Sequence, residues 1–269
     1  MKNYLLFFLG FLPLESYAQW DKKGQFGLYG TAEIPHQRSM PYMSTNYGLG
    51  MQLSYKPSNR LPVFLELKGS LGQYSSEKSN VNYLFSDGSS TFTDVSYKSN
   101  MNRIILGAKT YFSPYDRVVR GYITPQIGGN FMKSKIRIAD PDDIDDCQPL
   151  DNRVVHKSSD WTFGGELGLE IDLHELFVKR QVPQSRFYIS TSFIGSFRSM
   201  DYINIKYMQN DVHGVHDHSD HSHLDAAGRP LTASFINVTN GSTHEHKIAE
   251  IYRTPLRLFT INIGYVWYF

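Results

Sequence analysis

Large apolar side chains fall at every second position in eight separate stretches of this 269-residue chain. That period belongs to a strand with one face in an apolar medium. The cleanest stretch, 46–55, sets Tyr47, Leu49, Met51, Leu53 and Tyr55 against Asn46, Gly48, Gly50, Gln52 and Ser54. Similar alternation runs through 25–35, 63–73, 102–112, 121–131, 161–173 and 187–197, and it closes with "TINIGYVWYF" at 260–269. Each run has roughly the 9–11 residues that a tilted membrane strand needs. The run at 121–131 is the weakest, because Pro125 removes a ladder donor in its middle.

The connections alternate in length: 56–61, 113–120 and 174–186 are short, whereas 36–45, 74–101, 132–160 and 198–255 are long. Even strand number, short turns on one side and long loops on the other predict an all-β fold. The architecture expected is a transmembrane antiparallel up-and-down β-barrel of eight strands. A soluble eight-stranded barrel would turn its apolar face inward and its charges to water. Here the apolar faces carry no charge, while the polar faces carry Glu33, Glu66, Lys68, Arg103, Lys109, Glu166 and Glu170. Aromatic residues such as Tyr47, Tyr55, Phe112, Trp161, Phe187 and Phe197 gather near strand ends, the level of lipid headgroups. A surface apolar over so many adjacent strands would aggregate in water, which assigns it to lipid.

The first 18 residues read as a signal peptide: Lys2, an apolar run over 4–14, and small residues at Ser16 and Ala18. Residues 19–269 then form the barrel with its extracellular loops near 36–45, 74–101, 132–160 and 198–255. Formal net charge is +1, which offers no footing for nucleic acid. A single cysteine, Cys147, leaves no internal disulfide.

The final strand, ending Tyr265-x-Trp267-x-Phe269 behind a signal peptide, resembles the C-terminal assembly signal of bacterial outer-membrane proteins. The mature chain is similar to the small eight-stranded barrels typified by the transmembrane domain of outer-membrane protein A. The resemblance implies recognition by the barrel-insertion machinery, outer-membrane lipid as surroundings, and both termini in the periplasm. It leaves activity open, since such barrels include adhesins, structural anchors and lipid-modifying enzymes.

Chemistry has to come from the lumen or the loops. An eight-stranded barrel holds little beyond its own side chains, so its interior charges are expected to pair, Glu66 with Lys109 and Arg103 with Glu33, as a polar plug. The loop sequence "HGVHDHSDHSHLD" concentrates His213, His216, His218, His221 and His223 beside Asp217 and Asp220, donors suited to zinc, copper or nickel. Its plainer reading is a solvated loop whose histidines tune charge. Asp140, Asp142, Asp143, Asp145 and Asp146 form an acidic stretch lacking the spacing of a calcium loop. No histidine falls within the expected strands, and His36 and His156, nearest to strand ends, have no serine partner evident from spacing, so no catalytic residues are assigned. The expectation is a non-enzymatic outer-membrane protein with a structural or interaction role through its loops, as a subunit of an envelope assembly with a protein partner. The alternatives are a metal-binding accessory built on 213–225 and a narrow channel.

Overall fold

The computed structural model describes residues 22–58, 61–84, 90–114, 117–139, 151–172, 185–204, 232–239 and 245–269. Nine strands form one sheet: β1 (Gly24–Pro35), β2 (Asn46–Tyr55), β3 (Val63–Leu84), β4 (Ser90–Tyr111), β5 (Val119–Ala139), β6 (Asp151–Ile171), β7 (Ser185–Asn204), β8 (Thr232–Thr239) and β9 (Glu245–Tyr268). Neighbouring pairs are antiparallel, and β9 pairs with β1 from Gln25↔Tyr268 to Pro35↔Leu258, which closes eight of the nine into a barrel. Closure removes both sheet edges, the condition for burying strands in lipid. The aromatic ending Tyr265-x-Trp267-x-Phe269 belongs to the closing strand.

The outward row is apolar on every barrel strand. Tyr47, Leu49, Met51, Leu53 and Tyr55 are each more than half exposed, and so are Leu71, Ile104, Leu106, Phe112, Trp161, Leu167, Phe193 and Phe197. From Tyr47 to Tyr55 is eight residues of β2, about 27 Å along the strand and about 20 Å vertically at a tilt near 40°. That height matches the hydrocarbon band of a bacterial outer membrane. Tyr47, Phe131, Trp161 and Phe197 ring its long-loop edge; Tyr55, Phe112, Trp267 and Phe269 ring its short-turn edge.

The strands are longer than the alternation of apolar residues predicts. β3 and β4 continue as one hairpin to Leu84↔Ser90, and β5 and β6 stay paired out to Ile138↔Asp151. Above the belt the outward residues are polar, so apolar alternation stops while backbone pairing does not. β8 lies within the expected loop 198–255 and pairs only with the outer part of β9. Bulges at Gln73/Ser75, Ser134/Lys135 and Gly195/Ser199 sit just beyond the belt, where the strands leave lipid and bend. Pro125 acts as expected: the β4–β5 ladder lapses between Gly107↔Gln126 and Thr110↔Ile123 and resumes in the same register.

Glycine sets how tightly the barrel fills. A Cβ at Gly50 would lie 2.2 Å from the Tyr29 ring, and one at Gly168 would lie 2.2 Å from the Tyr122 ring. Each inward tyrosine therefore lies flat across the glycine of a neighbouring strand, occupying the space that glycine leaves.

Met51 is at mid-height of the belt, between Leu28 and Gly69. Met51→Arg is expected to destabilise the folded barrel by about 2–4 kcal/mol, whereas Gln73→Arg above the belt costs about 0–1 kcal/mol. Urea titration in lipid vesicles, read by tryptophan fluorescence, compares the two.

Candidate functional site

The interior is built in tiers, each from inward residues of several strands. Nearest the short turns, the Glu170 carboxylate takes Lys109 Nζ at 2.6 Å and Arg120 Nη2 at 2.6 Å. It also accepts hydrogen bonds from Tyr111 Oη at 2.6 Å and from Tyr268 Oη. The cations lie against rings as well, Arg120 4.1 Å from the Tyr111 centroid and Lys109 4.2 Å from that of Tyr122. Arg186 donates to the Arg117 carbonyl at 2.8 Å and faces Asp172 at 3.9 Å.

At mid-depth Lys68 bridges two carboxylates, Glu166 at 2.6 Å and Glu66 at 3.2 Å, and Tyr122 Oη donates to Glu166 at 3.0 Å. Above it Arg103 pairs with Glu33, which also accepts from Asn46 Nδ2 at 2.7 Å. Five carboxylates and five cations thus pair inside the barrel among the described residues, and a sixth buried cation, Lys56, lies at the short-turn end. Removing one partner from such a set strands a buried charge at a cost of several kcal/mol.

The space left between the Lys68 tier and the Arg103 tier is a cavity of about 10 Å³, lined by Tyr29, Gln126, Ser192, Thr260 and Asn262 among others. That is the volume of about one water molecule. Toward the long loops the lumen turns apolar. Met40 and Met43, from the 36–45 turn, pack with Met101, Met132 and Met200 and with Tyr74, Tyr202 and Tyr252, closed below by Leu256 and Leu258. Tyr252 stacks on Tyr202 at 5.6 Å and meets Tyr42 at 4.9 Å. Unbranched methionines suit this role, because they fill irregular gaps between rings. The turn that brings in Met40 is itself tied down, Ser39 N and Met40 N donating to the His36 carbonyl at 3.0 and 2.9 Å.

All seven charges assigned from sequence to the polar face are buried in the lumen. Arg103 and Glu33 pair as expected. Glu66 and Lys109 are 3.8 Å apart, but Lys109 has its nearest carboxylate in Glu170 and Lys68 has its own in Glu166. Arg120 and Arg186, both fully buried, fall in stretches that the alternation assigns to turns. The methionine plug also has no sequence signal: all five methionines fall in stretches that the alternation assigns to connections, Met40 and Met43 in 36–45, Met101 in 74–101, Met132 in 132–160 and Met200 in 198–255. His213, His216, His218, His221 and His223 lie outside the described residues, as do Asp140 to Asp146 and Cys147. No group of three or more metal-ligating side chains comes together among the described residues. His36 does meet a serine, with Nδ1 3.2 Å from Ser39 Oγ, but that hydroxyl donates to the His36 carbonyl and serves the turn.

Beyond the belt, Arg253 clamps Asp201 with two hydrogen bonds of 2.7 and 2.9 Å, which hold that carboxyl below its ordinary range. His156 packs beside Asp201 on β6, and burial lowers its pKa from 6.5. Here the β6–β7 ladder has ended at Thr162↔Ser196, and side chains span the seam: Arg198 N donates to Asp160 at 2.6 Å and Asp201 N to Ser158 Oγ at 3.1 Å.

No family model and no curated protein matches the chain. Among solved structures it is similar to Neisserial surface protein A, with 7% identity and a TM-score of 0.43 over 91% of this chain and 96% of that one. It is also similar to Ail, the attachment invasion locus protein of Yersinia pestis, with 11% identity and a TM-score of 0.39 over 92% and 97%. The N-terminal β-barrel domain of Pseudomonas aeruginosa OprF gives 10% identity and a TM-score of 0.35 over 92% and 100%. The uncharged belt, the aromatic rims and the closed eight-strand circuit make this chain a membrane-spanning β-barrel.

Two outcomes follow from these tiers. Glu170→Gln leaves Lys109 and Arg120 short of their shared anion and is expected to cost about 3–5 kcal/mol, read as a lower thermal transition of the heat-modifiable band on gels. At the rim, both lowered pKa values favour the deprotonated forms, so acidification opposes the fold, first as pH falls through the ordinary range of His156 and then below that of Asp201. Amide exchange over 198–204, corrected for intrinsic rates, should quicken between pH 7 and pH 5, and His156→Gln should abolish that change.

Proposed function

We propose that this protein acts from its external surface: a sealed, non-enzymatic outer-membrane barrel that presents the wall above the belt to a partner in the cell envelope or outside it. The observation that carries this reading is the closed lumen. Paired charges fill its lower part, with room for about one water between the Lys68 and Arg103 tiers, and a methionine and tyrosine plug fills the part toward the long loops. Among the described residues this filling argues against a passage of substrate size. With conduction set aside, the surface left for function is the long-loop end, where β3 to β7 and β9 rise well past the aromatic rim.

In this reading both termini face the periplasm, since Gly24 and Phe269 meet at the short-turn end, each backbone N–H donating to the other's carbonyl. The insertion machinery reads the exposed aromatic row that ends at Phe269. The long-loop end then faces outward.

Reconstitution in planar bilayers tests the carrying observation. No steady conductance is expected from the intact protein, and a large, stable one would overturn the reading. Photo-crosslinking positions placed at Ser76 and Asn152, above the belt, should capture a membrane partner in cells, whereas positions at Gly24 should not.

A further inference from the structure

Just above the belt the outward faces of β3, β4, β5 and β6 line up in rungs perpendicular to the strands. The last apolar rung is Leu71↔Asn102↔Phe131↔Ser159. The next is Gln73↔Asn100↔Lys133↔Lys157, then Ser76↔Lys98↔Lys135↔Val154, then Lys78↔Ser96↔Arg137↔Asn152. Lys78, Lys98, Lys133, Lys135 and Lys157 are all exposed. No carboxylate shares those three rungs among the described residues, since Glu77 alternates to the inner face with Tyr97. Cross-strand neighbours stand about 5 Å apart and successive rungs about 7 Å. The cations therefore cover a patch roughly 14 Å on a side, starting within one rung of the aromatic rim.

Below the β3–β4 side of this patch, and bounded by Phe131 under Lys133, the lipid-facing wall is recessed. Gly69 faces outward at mid-belt, and its position opens a groove of about 1060 Å³ between β2 and β5, walled by Leu49, Met51, Leu71, Ile104 and Phe131. The nearest atom to a Cβ placed at Gly69 is a carbonyl 4.0 Å away, so this side of the residue is open. Groove and patch are continuous: Gln73, Asn100 and Asn102 line the groove's upper end and belong to the lowest rungs.

We propose that the two form one site for a phosphorylated membrane lipid, its acyl chain lying in the Gly69 groove and its headgroup phosphate held by Lys133, Lys135 and Lys157. Charge complementarity commits the site to an anionic headgroup, because like-charged lysines this close repel until a counter-charge joins them. Height commits it to a lipid rather than a soluble anion: the cations begin one rung past the aromatic rim, at headgroup level, and the adjoining recess leads down into hydrocarbon. Which leaflet supplies the lipid rests on the outward orientation proposed above; the binding chemistry does not.

The test titrates the intact mature protein, in neutral detergent, with dioleoyl phosphatidylglycerol, dioleoyl phosphatidylcholine and inorganic phosphate, read by native mass spectrometry. Phosphatidylglycerol is expected to bind roughly tenfold tighter than phosphatidylcholine, and inorganic phosphate is expected to compete poorly. Lys133→Gln/Lys135→Gln/Lys157→Gln should erase the preference while leaving the thermal transition in place. Gly69→Leu, which fills the groove, should weaken both lipids and leave their ratio standing. Equal binding of the two lipids, a triple variant indistinguishable from the parent, or a sulfated oligosaccharide that binds as tightly as the lipid and is not displaced by it would each overturn the proposal. Orientation fails separately, by protease accessibility of intact cells, and its failure leaves these affinities untouched.

Discussion

Hydrocarbon touches the outward face of every barrel strand, and the rest of the structure follows from that contact. Because the outside accepts no charge, each ionisable group on a membrane strand must turn inward, and an eight-stranded barrel gives it no bulk water there. Polar burial is therefore forced, and the ion pairs are its consequence. Glu170 illustrates the solution: two cations and two phenols converge on one carboxylate. Each of those groups alone would be costly to bury. The set stands because no member is left without a counterpart.

Tyrosine and glycine make that crowding possible. A long polar side chain needs room across a narrow lumen, and Gly50 and Gly168 provide it by letting the Tyr29 and Tyr122 rings lie flat on the wall. Tyr122 then faces Lys109 with its ring and Glu166 with its hydroxyl. Toward the long loops the requirement changes. Among the described residues the turn holding Met40 and Met43 closes that end, and flexible thioethers pack against a tyrosine cluster without demanding hydrogen bonds.

Strand count, closure and the inward direction of seven charges were legible in the sequence, because a lipid-facing row writes an unbroken period of two. Legibility ended where lipid ended. β3 and β4 run on past Gln73 with polar residues on the outer face, so the period lost its contrast while the ladder continued to Leu84↔Ser90. Arg120 and Arg186 were unreadable for a related reason: each is the second residue of its strand, at the very start of the period, where too few outward residues mark the alternation. The pairing of Lys68 with Glu166 crosses between strands far apart in sequence, and no spacing rule links residues 98 apart. The plug is the hardest case, since methionine in a connection looks the same whether it hangs in water or caps a lumen.

A barrel sealed at both levels cannot change its interior in response to a ligand without breaking several buried ion pairs together. The wall above the belt has no such constraint. There the β6–β7 ladder lapses and single side chains such as Asp160 and Ser158 carry the seam. The bulges at Gln73/Ser75 and Gly195/Ser199 separate the two regimes, so strain applied above them is absorbed before it reaches the paired charges. The lower barrel thus behaves as a rigid mount and the upper wall as the adaptable part. In the function proposed above, recognition falls on residues that neither lipid contact nor lumen packing fixes.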